Sequence, residues 1–193
     1  LELNKPIHLP EVFSTVEKEE LKTAWEKVCN NINFYNHFGS HESKNLLSKI
    51  KYFVTALDCK WVVLDHVNIA VSGIDEGDER RLIDNIMTRL RSLVEELQFG
   101  LILVCHLRRP VNSNKGHEEG LSTSMSQLRG SAGIGQLTDI CIGCERNQQD
   151  NENPNTMTLR ILKNRFNGTT GVATYLNYNP ETNRLTENNY DFD

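Results

Sequence analysis

Lys60-Trp61-Val62-Val63-Leu64-Asp65-His66 is the stretch of this sequence that decides its fold. Four consecutive apolar residues, two of them β-branched, predict a short strand buried on both faces, as in a parallel sheet. Ligands of open α/β sheets bind at the carboxyl ends of the strands, so Asp65 is placed to hold Mg²⁺ directly or through water. Many strands also end at an aspartate that only begins a turn, and from this stretch alone both interpretations stay open.

A second apolar run, Leu101 to Val104, follows a long amphipathic helix that we predict from Glu79 to Phe99. Strand, helix and strand at this spacing predict a right-handed parallel crossover, in which the residues just past each strand meet at one edge of the sheet. We therefore expect Asp65 and His106 to be neighbours. Ile140 to Cys144 is predicted to be a further strand of the same mainly parallel sheet.

The flanking segments predict more helices and an antiparallel ending. Apolar residues recur at helical spacing after Ser14 and again after Ser40, which indicates two helices before the first strand. Residues 156–162 and 172–177 alternate like antiparallel strands, and residues 179–183 form a turn into a terminal hairpin. We expect an α/β fold: a mainly parallel twisted sheet flanked by helices, followed by C-terminal antiparallel strands.

Composition limits the classes of protein to consider. At 193 residues, 38% of them hydrophobic, the chain can bury one sizeable core, so we expect one domain over residues 1–193. No apolar run approaches the roughly 20 residues that a membrane span needs, and the start at Leu1 has neither an initiator Met nor a signal peptide. We interpret the chain as a piece of a longer protein. A net charge of −5 excludes nucleic-acid binding by bulk charge, so any polyanion site must be a local patch.

The cysteines indicate a reducing compartment, which we take to be the cytoplasm. There are five, an odd number with no regular spacing, and this argues against a disulfide scaffold. Cys141 and Cys144 have CxxC spacing, but no second pair accompanies them and they lie within an apolar run. We interpret them as core packing in preference to a zinc or redox site.

Two segments between the predicted strands stand out. Residues 108–120 form a polar loop that is long enough to be functional or disordered. Residues 130–135 form a glycine cluster that invites comparison with a phosphate-binding loop. We reject that interpretation, because no Lys-Ser/Thr follows the cluster and it precedes a strand instead of following one.

Ordered blocks along nearly the whole chain resemble the helicase half of the primase-helicases of short-tailed phages, relatives of the mitochondrial Twinkle helicase and of bacterial replicative ring helicases. The most specific blocks are Val63-Leu64-Asp65-His66, Asp78-Glu79-Arg80, Ile83 to Thr88, Cys105-His106-Leu107, His117 to Gly120, Leu128 to Ser131, Glu145 to Gln149, Ile161 to Phe166 and Thr170-Gly171. The resemblance implies a RecA-like domain.

The chain also departs from the family. The family's glycine-rich phosphate loop with its Lys-Ser/Thr, and the glutamate that polarises the attacking water, are expected upstream of Leu1. The sequence therefore holds the later part of a RecA-like core, truncated before the phosphate loop, and we expect the isolated chain to be inactive.

The resemblance assigns roles to the residues at the strand ends. It implies that Asp65 is the Walker B carboxylate that orients Mg²⁺ on the nucleotide, and that His106 senses the γ-phosphate. It gives Gln136 a similar sensing role near the same edge. Without the resemblance, a histidine after a strand and a glutamine at the start of a helix are ordinary polar residues.

Four further residues receive nucleotide roles from the resemblance. Lys163 and Arg165 would face the nucleotide of the adjacent subunit, where a guanidinium neutralises charge that develops on the γ-phosphoryl group. Read without the family, they are two basic residues on a solvated strand face. Arg146 and Tyr178 would hold the nucleotide base between a planar cation and an aromatic ring, although Tyr178 could equally pack the hairpin.

The resemblance places DNA contacts in loops that face a central channel, at residues 73–78, 108–116 and 130–135. Arg108, Arg109 and Lys115 would supply positive charge for phosphates, and Gly130 and Gly133 would let backbone N–H groups approach the strand. The third loop has a glycine at position 135, where the phage relatives carry a basic residue, which weakens its case.

The resemblance implies that the chain is part of a replicative helicase that couples hydrolysis of ATP or dTTP, with Mg²⁺, to translocation on single-stranded DNA and to duplex unwinding. The implied partners are single-stranded DNA, other copies of the chain in a ring, expected to be a hexamer, and a primase domain and DNA polymerase, with no membrane. The host cytoplasm would be the location if a phage encodes it. Two alternatives remain: a RecA-like recombinase filament ATPase, and a non-hydrolysing module for ring assembly or DNA binding.

Overall fold

The computed structural model describes residues 2–35, 43–68, 76–109, 116–129 and 132–187. Its helices are α1 (Pro10–Phe13), α2 (Lys18–Cys29), α3 (Ser43–Ala56), α4 (Glu76–Leu97) and α5 (Ala132–Leu137). Its strands are β1 (Trp61–Leu64), β2 (Gly100–Leu103), β3 (Ile140–Arg146), β4 (Thr156–Asn164), β5 (Gly171–Asn179) and β6 (Arg184–Glu187). Among the helices in these ranges, none is both long and apolar enough to cross a membrane.

The predicted strand–helix–strand unit is confirmed as β1, α4 and β2. The two strands pair in parallel, with Trp61 opposite Gly100 and Leu64 opposite Leu103. The Trp61 ring lies over Gly100, so a Cβ atom at this position would force the ring to move. The register brings the residues that follow each strand to the same edge, as the crossover argument requires.

The core lies between this strand pair and the helices α3 and α4. Ile83, Ile86 and Leu90 lie on one stripe of α4 and are almost completely buried, as the periodicity predicted. Leu46 and Ile50 of α3 complete the centre of the same cluster. Burying side chains of this size stabilises a fold by about 1.5–3 kcal/mol each, so this contact dominates the stability of the region.

The prediction that β1 is buried on both faces is wrong for the described chain. Val62 and Leu64 pack against the core, whereas Trp61 is 68% exposed and Val63 is 63% exposed. On β2 the pattern repeats, with Ile102 exposed. The reason is that α3 and α4 pack on the same face of the pair, so the residues alternate between a packed and an uncovered face.

The placement of β3 beside β2 in a parallel sheet is also wrong. β3 belongs to a four-stranded antiparallel sheet with the order β3-β4-β5-β6, and Ile140 lies opposite Asn164 of β4. The connection from β3 to β4 is too short for a parallel crossover, so these two strands pair antiparallel. The connection from β2 to β3 is long enough for a crossover, and the apolar run of β3 does not show which strand it pairs with. The predicted C-terminal antiparallel strands and hairpin are confirmed as β4, β5 and β6, and the mixed α/β class is confirmed with them.

Residues 116–129 are tied to this antiparallel sheet by a buried carboxylate. Glu145 of β3 is only 8% exposed. It accepts hydrogen bonds from the Thr123 backbone N (2.6 Å) and Oγ1 (2.8 Å), and it pairs with Arg160 Nε of β4 at 2.7 Å. Burial alone would raise the pKa of Glu145, but the hydrogen bonds from Arg160 and Thr123 outweigh burial and lower it.

Glu145→Ala should destabilise the chain by about 2–4 kcal/mol, because it leaves the Arg160 guanidinium and the Thr123 N–H without their acceptor. The measurement is urea unfolding. Since the folded-state pKa is lowered, the contribution is present above the ordinary value near 4.5 and is lost as the pH falls below it. The matched control is Glu118→Ala on the exposed surface, which should change stability by at most about 0.5 kcal/mol. Equal losses for the two variants would contradict the anchoring role.

Candidate functional site

Asp65 and His106 follow the two strands of the parallel pair at the same carboxyl edge, as predicted. The ladder continues past the strands, since Val104 N donates to Leu64 O at 3.0 Å and Val67 N donates to Val104 O at 3.2 Å. The ring of His66, next to Asp65, packs edge-on against the ring of His106 with 4.2 Å between centroids. Asp65 and His106 are both exposed at this edge.

Polar atoms that the sequence analysis did not single out are buried beside this edge. Asn68 is 8% exposed, and neither its amide oxygen nor its amide nitrogen has a hydrogen-bond partner within the described chain. His66 Nδ1 is likewise buried without a partner there. Each such group costs about 1–3 kcal/mol, so a natural fold keeps few of them, and those it keeps call for an explanation. The signal in the sequence was a single asparagine in the apolar run Val67 to Val71.

The donor set at this edge fits one kind of magnesium site. Within the described ranges no group of three or more His, Cys, Asp or Glu side chains could hold a metal ion together. Mg²⁺ bound to nucleotides keeps several waters and needs only one or two carboxylates, because the phosphates supply further ligands. The exposed carboxylate of Asp65 meets that requirement, so the edge fits a nucleotide-borne Mg²⁺ and does not form an all-protein cage.

The chain that leaves β2 is held in a short ladder before it reaches the predicted DNA loop. Arg129 N donates to His106 O at 2.9 Å, and Arg108 N donates to Gln127 O at 2.7 Å. His117 Nε2 lies 3.1 Å from Arg108 O and carries the proton, since a carbonyl can only accept. The side chains of Arg108 and Arg109 are exposed. The backbone on the His106 side of this loop is therefore fixed in place.

Other predicted DNA-binding residues fall partly outside the described chain. Lys115 and Gly130 lie outside the described residues. Gly133 lies within α5.

Gln136 does not stand at the start of a helix, as the sequence analysis assumed. It is the fifth of the six residues of α5, and its side chain is exposed. Lys163 Nζ donates to the carbonyl oxygens of Gly135 (2.8 Å) and Gln136 (3.1 Å). These carbonyls belong to the last turn of the helix, which lacks internal partners and carries partial negative charge. Lys163 thus caps α5 of its own chain and fixes the segment that contains Gln136.

Arg165 lies directly after β4, and its side chain is 61% exposed. Its backbone N donates to Asp139 O at 2.9 Å, and its Nη1 lies 3.3 Å from Asp139 Oδ1. The other oxygen of Asp139 accepts from Arg91 Nη1 of α4 at 2.6 Å. Burial alone would raise the pKa of Asp139, but the hydrogen bonds from Arg91 and Arg165 outweigh it and hold the pKa below its ordinary value. Sequence reasoning missed Asp139 and Arg91.

The predicted base-binding pair comes together. Arg146 Cζ lies 4.9 Å from the centroid of the Tyr178 ring. The guanidinium is oriented by Pro154 O (2.8 Å) and Asn155 Oδ1 (2.7 Å), and the Tyr178 hydroxyl donates to Asn183. A base between them needs two stacking distances, about 7 Å in all. The pair must therefore open by about 2 Å to admit one.

The two cysteines of the CxxC motif point in opposite directions. Along β3, Cys141 is half-buried and Cys144 is exposed, because residues three apart on a strand face opposite sides. Core packing is therefore wrong for Cys144, and Cys141 is half-buried without belonging to the core cluster of the described chain. Burial, with a smaller contribution from Cys141 nearby, raises the pKa of Cys105 at the end of β2 to about 11. Cys141, near the start of β3, therefore lies close to Cys105, which follows β2.

Comparisons with known proteins identify the family of this chain. The family described as "DnaB-like helicase C terminal domain" matches residues 9–187. Over 156 residues the chain is 44% identical to the "DNA helicase/primase" of Enterobacteria phage T3. The aligned region covers 81% of this chain and 27% of that protein. The chain thus spans about a quarter of the length of this relative.

Solved structures show the same fold. One of them, described as an ATPase domain, superposes with a TM-score of 0.71 at 19% identity, covering 96% of this chain and 68% of that one. A DnaB-like replicative helicase, solved in a study of its interactions with primase, superposes with a TM-score of 0.69 at 20% identity, covering 89% and 42%. From the match to residues 9–187 and the 44% identity, we conclude that the chain belongs to the family of DnaB-like helicase C-terminal domains.

Proposed function

We propose that this chain is the part of a replicative DNA helicase that presents a metal-binding carboxylate, a γ-phosphate sensor and an arginine for the neighbouring subunit. The protein would couple hydrolysis of ATP or dTTP to movement along single-stranded DNA. The observation that carries the proposal is the edge of the parallel pair, where Asp65 and the packed rings of His66 and His106 lie together. It has the polar groups and the position that a nucleotide site of an α/β sheet requires.

At this edge Asp65 would hold the nucleotide's Mg²⁺. When bound, the ion neutralises charge on the phosphate oxygens. Asp65 is fixed at the end of β1, and His66 beside it buttresses the His106 ring. His106 then donates to a γ-phosphate oxygen and is released from it after hydrolysis, so its position reports the state of the nucleotide. The Asn68 amide, which has no hydrogen-bond partner within the described chain, gives the same edge a further donor and acceptor.

A signal from His106 has a short path to the loop that we propose contacts DNA. His106 O accepts from Arg129, and Arg108 N donates to Gln127 two residues further along the same ladder. A shift of the sensor moves this ladder as a unit, since its hydrogen bonds link both strands of the chain. Arg108 and Arg109 would carry that shift to the phosphates of a DNA strand.

Arg165 would act on the nucleotide of the adjacent subunit. Its side chain is exposed and its backbone is held at the end of β4, which would allow the guanidinium to reach the neighbouring subunit. Lys163 supports it by fixing α5. Arg146 and Tyr178 would receive the nucleotide base. Assembly into a ring of six and contacts with a primase domain or polymerase are parts of the proposal that rest on the family.

The alternative of a recombinase-like filament ATPase shares the RecA-like fold. The 44% identity to a helicase/primase favours the helicase. The 193 residues contain no glycine loop ending in Lys-Ser/Thr, so hydrolysis is to be measured in a longer version of the protein that includes one. A phosphate loop without its lysine would favour the non-hydrolysing module.

In that longer protein, Tyr178→Ala should raise the KM for nucleotide about tenfold, with kcat changed much less, because stacking on a base contributes about 1–3 kcal/mol and is equal in ground and transition states. Tyr178→Phe keeps the ring, loses the bond to Asn183 and should retain a near-normal KM. Steady-state kinetics separates the two variants. An unchanged KM in Tyr178→Ala would show that the ring only packs the hairpin.

Arg165→Ala should lower hydrolysis on the order of 10³-fold with little loss of nucleotide binding, since the guanidinium acts on the transition state of the neighbour. Nucleotide binding is measured by equilibrium titration. Mixing this variant with a phosphate-loop lysine variant should restore partial turnover at mixed interfaces. If hetero-oligomers form and no activity returns, Arg165 acts within its own subunit or is structural.

Replacing Arg108, Arg109 and Lys115 with Ala should weaken binding of single-stranded DNA and abolish DNA-stimulated hydrolysis while basal hydrolysis persists. The salt dependence of the binding constant should fall by roughly 0.7 for each phosphate that the variant no longer neutralises. Fluorescence anisotropy at several salt concentrations measures both quantities.

The matched control removes the same charge from α2, with Lys18, Lys22 and Lys27 replaced by Ala, and should leave the salt slope unchanged. If the loop variant keeps wild-type affinity and slope, these basic residues do not line the DNA channel.

A further inference from the structure

Asp139 occupies a junction between three elements. It immediately precedes β3, and its neighbour Ile140 pairs with Asn164 at the end of β4, so Asp139 and Arg165 lie side by side at one end of the antiparallel sheet. Its carboxylate divides between two guanidinium groups: Oδ2 accepts from Arg91 of α4 at 2.6 Å, and Oδ1 faces Arg165 at 3.3 Å. One aspartate thus connects α4 with the residue that follows β4.

The contact with Arg165 is more than an exposed ion pair. Isolated surface pairs contribute little, with a median near 0–1 kcal/mol. Here the Arg165 backbone is also fixed, by its N–H···O bond to Asp139 at 2.9 Å. Asp139 itself is 32% exposed and Arg91 is 29% exposed, so the pair that braces the carboxylate is partly shielded from water. The main chain and the side chain of Arg165 therefore both bind Asp139.

The two side-chain contacts of the Asp139 carboxylate differ in length. The 2.6 Å contact with Arg91 is a short charge-assisted hydrogen bond, whereas the 3.3 Å contact with Arg165 is long. Arg91 also pairs with Glu95 one turn along α4. The carboxylate is thus held firmly from the α4 side and holds Arg165 loosely, in a cleft of about 650 Å³ that Phe166 also lines. A loosely held guanidinium keeps its direction and can still leave for a stronger anion.

We propose that Asp139 is a positioning residue for Arg165, aiming its guanidinium out of the subunit and, through Arg91, tying its position to α4. The proposal rests on the proposed in-trans role of Arg165. α4 connects the segment after β1 to β2. The Arg91–Asp139 contact therefore links the orientation of the Arg165 guanidinium to the helix that joins the two strands of the subunit's own proposed nucleotide edge.

A purely structural role predicts something different. If Asp139 only pinned α4 to the sheet through Arg91, removing its charge would lower stability and affect every function alike. If it positions Arg165, its removal lowers kcat through Arg165 alone and has no effect once Arg165 is gone. A double-mutant cycle separates these two cases.

The experiment uses the longer, hydrolysis-competent protein and the variant Asp139→Asn, which preserves shape and removes the charge. We expect kcat to fall about 10- to 100-fold, the cost typical of a misplaced group, with KM changed less than about threefold. In an Arg165→Ala background the same substitution should change kcat by less than about twofold. Glu95→Gln is the matched control: it removes a carboxylate that touches Arg91 and not Arg165, and should leave kcat within about twofold.

Wild-type kcat in Asp139→Asn, together with loss of hydrolysis in Arg165→Ala, overturns the inference and leaves the proposed function standing. Wild-type hydrolysis in Arg165→Ala overturns the proposed function itself, so the two failures are distinguishable. A fall in kcat that persists in the Arg165→Ala background assigns Asp139 a structural role and also overturns the inference.

If Asp139→Asn fails to fold or to assemble, Arg91→Gln decides the question. This variant keeps the Asp139 carboxylate and removes the Arg91 guanidinium that holds it. We expect a smaller fall in kcat, about three- to tenfold, which again disappears in the Arg165→Ala background. No fall, or one that persists without Arg165, overturns the inference.

Discussion

The apolar contact between α4 and the parallel strand pair is the interaction on which the rest of this structure depends. Ile83, Ile86 and Leu90 are buried against one face of β1 and β2, and this burial sets the strands side by side. Because the strands are parallel and in register, Asp65 and His106 must emerge at the same edge. The chemistry proposed for that edge therefore follows from hydrophobic packing several residues away.

The residues proposed to contact the nucleotide from the antiparallel sheet are positioned by a different kind of interaction. The antiparallel sheet carries Arg146, Lys163, Arg165 and Tyr178, and polar bonds locate it relative to the rest of the chain. Glu145 ties residues 116–129 to β3 and β4, while Asp139 ties α4 to the end of β4. Charge-assisted bonds are directional, so they define the orientation of these side chains more sharply than apolar contact does.

Apolar packing and charge-assisted hydrogen bonds explain which features the sequence could predict and which it could not. Periodicity predicted α4 and its neighbouring strands, because a helical stripe and an apolar run are local patterns. The same apolar runs misled us about β1, β2 and β3, since a run of apolar residues does not show how many faces are covered or which strand is the partner. Arg91 and Asp139 are 48 residues apart, and Thr123 and Glu145 are 22 apart. No local pattern reveals such pairs, so the family resemblance gave an expected role to Arg165 and none to Asp139 beside it.

The cations of the antiparallel sheet are held in two electrostatically different ways. Lys163 and Arg146 donate to neutral oxygens, the carbonyls of α5 and the Pro154–Asn155 segment. A neutral acceptor orients a cation without cancelling its charge, so both retain their attraction for an anionic ligand. Arg165 instead faces a carboxylate, but one that already pairs more closely with Arg91. Because Asp139 is shared with Arg91, its carboxylate neutralises the Arg165 guanidinium only in part. A phosphate carries more negative charge than this shared carboxylate offers, so it can displace Asp139 at small cost. In an acidic chain of net charge −5, this arrangement keeps positive charge at the places where we propose that a nucleotide binds.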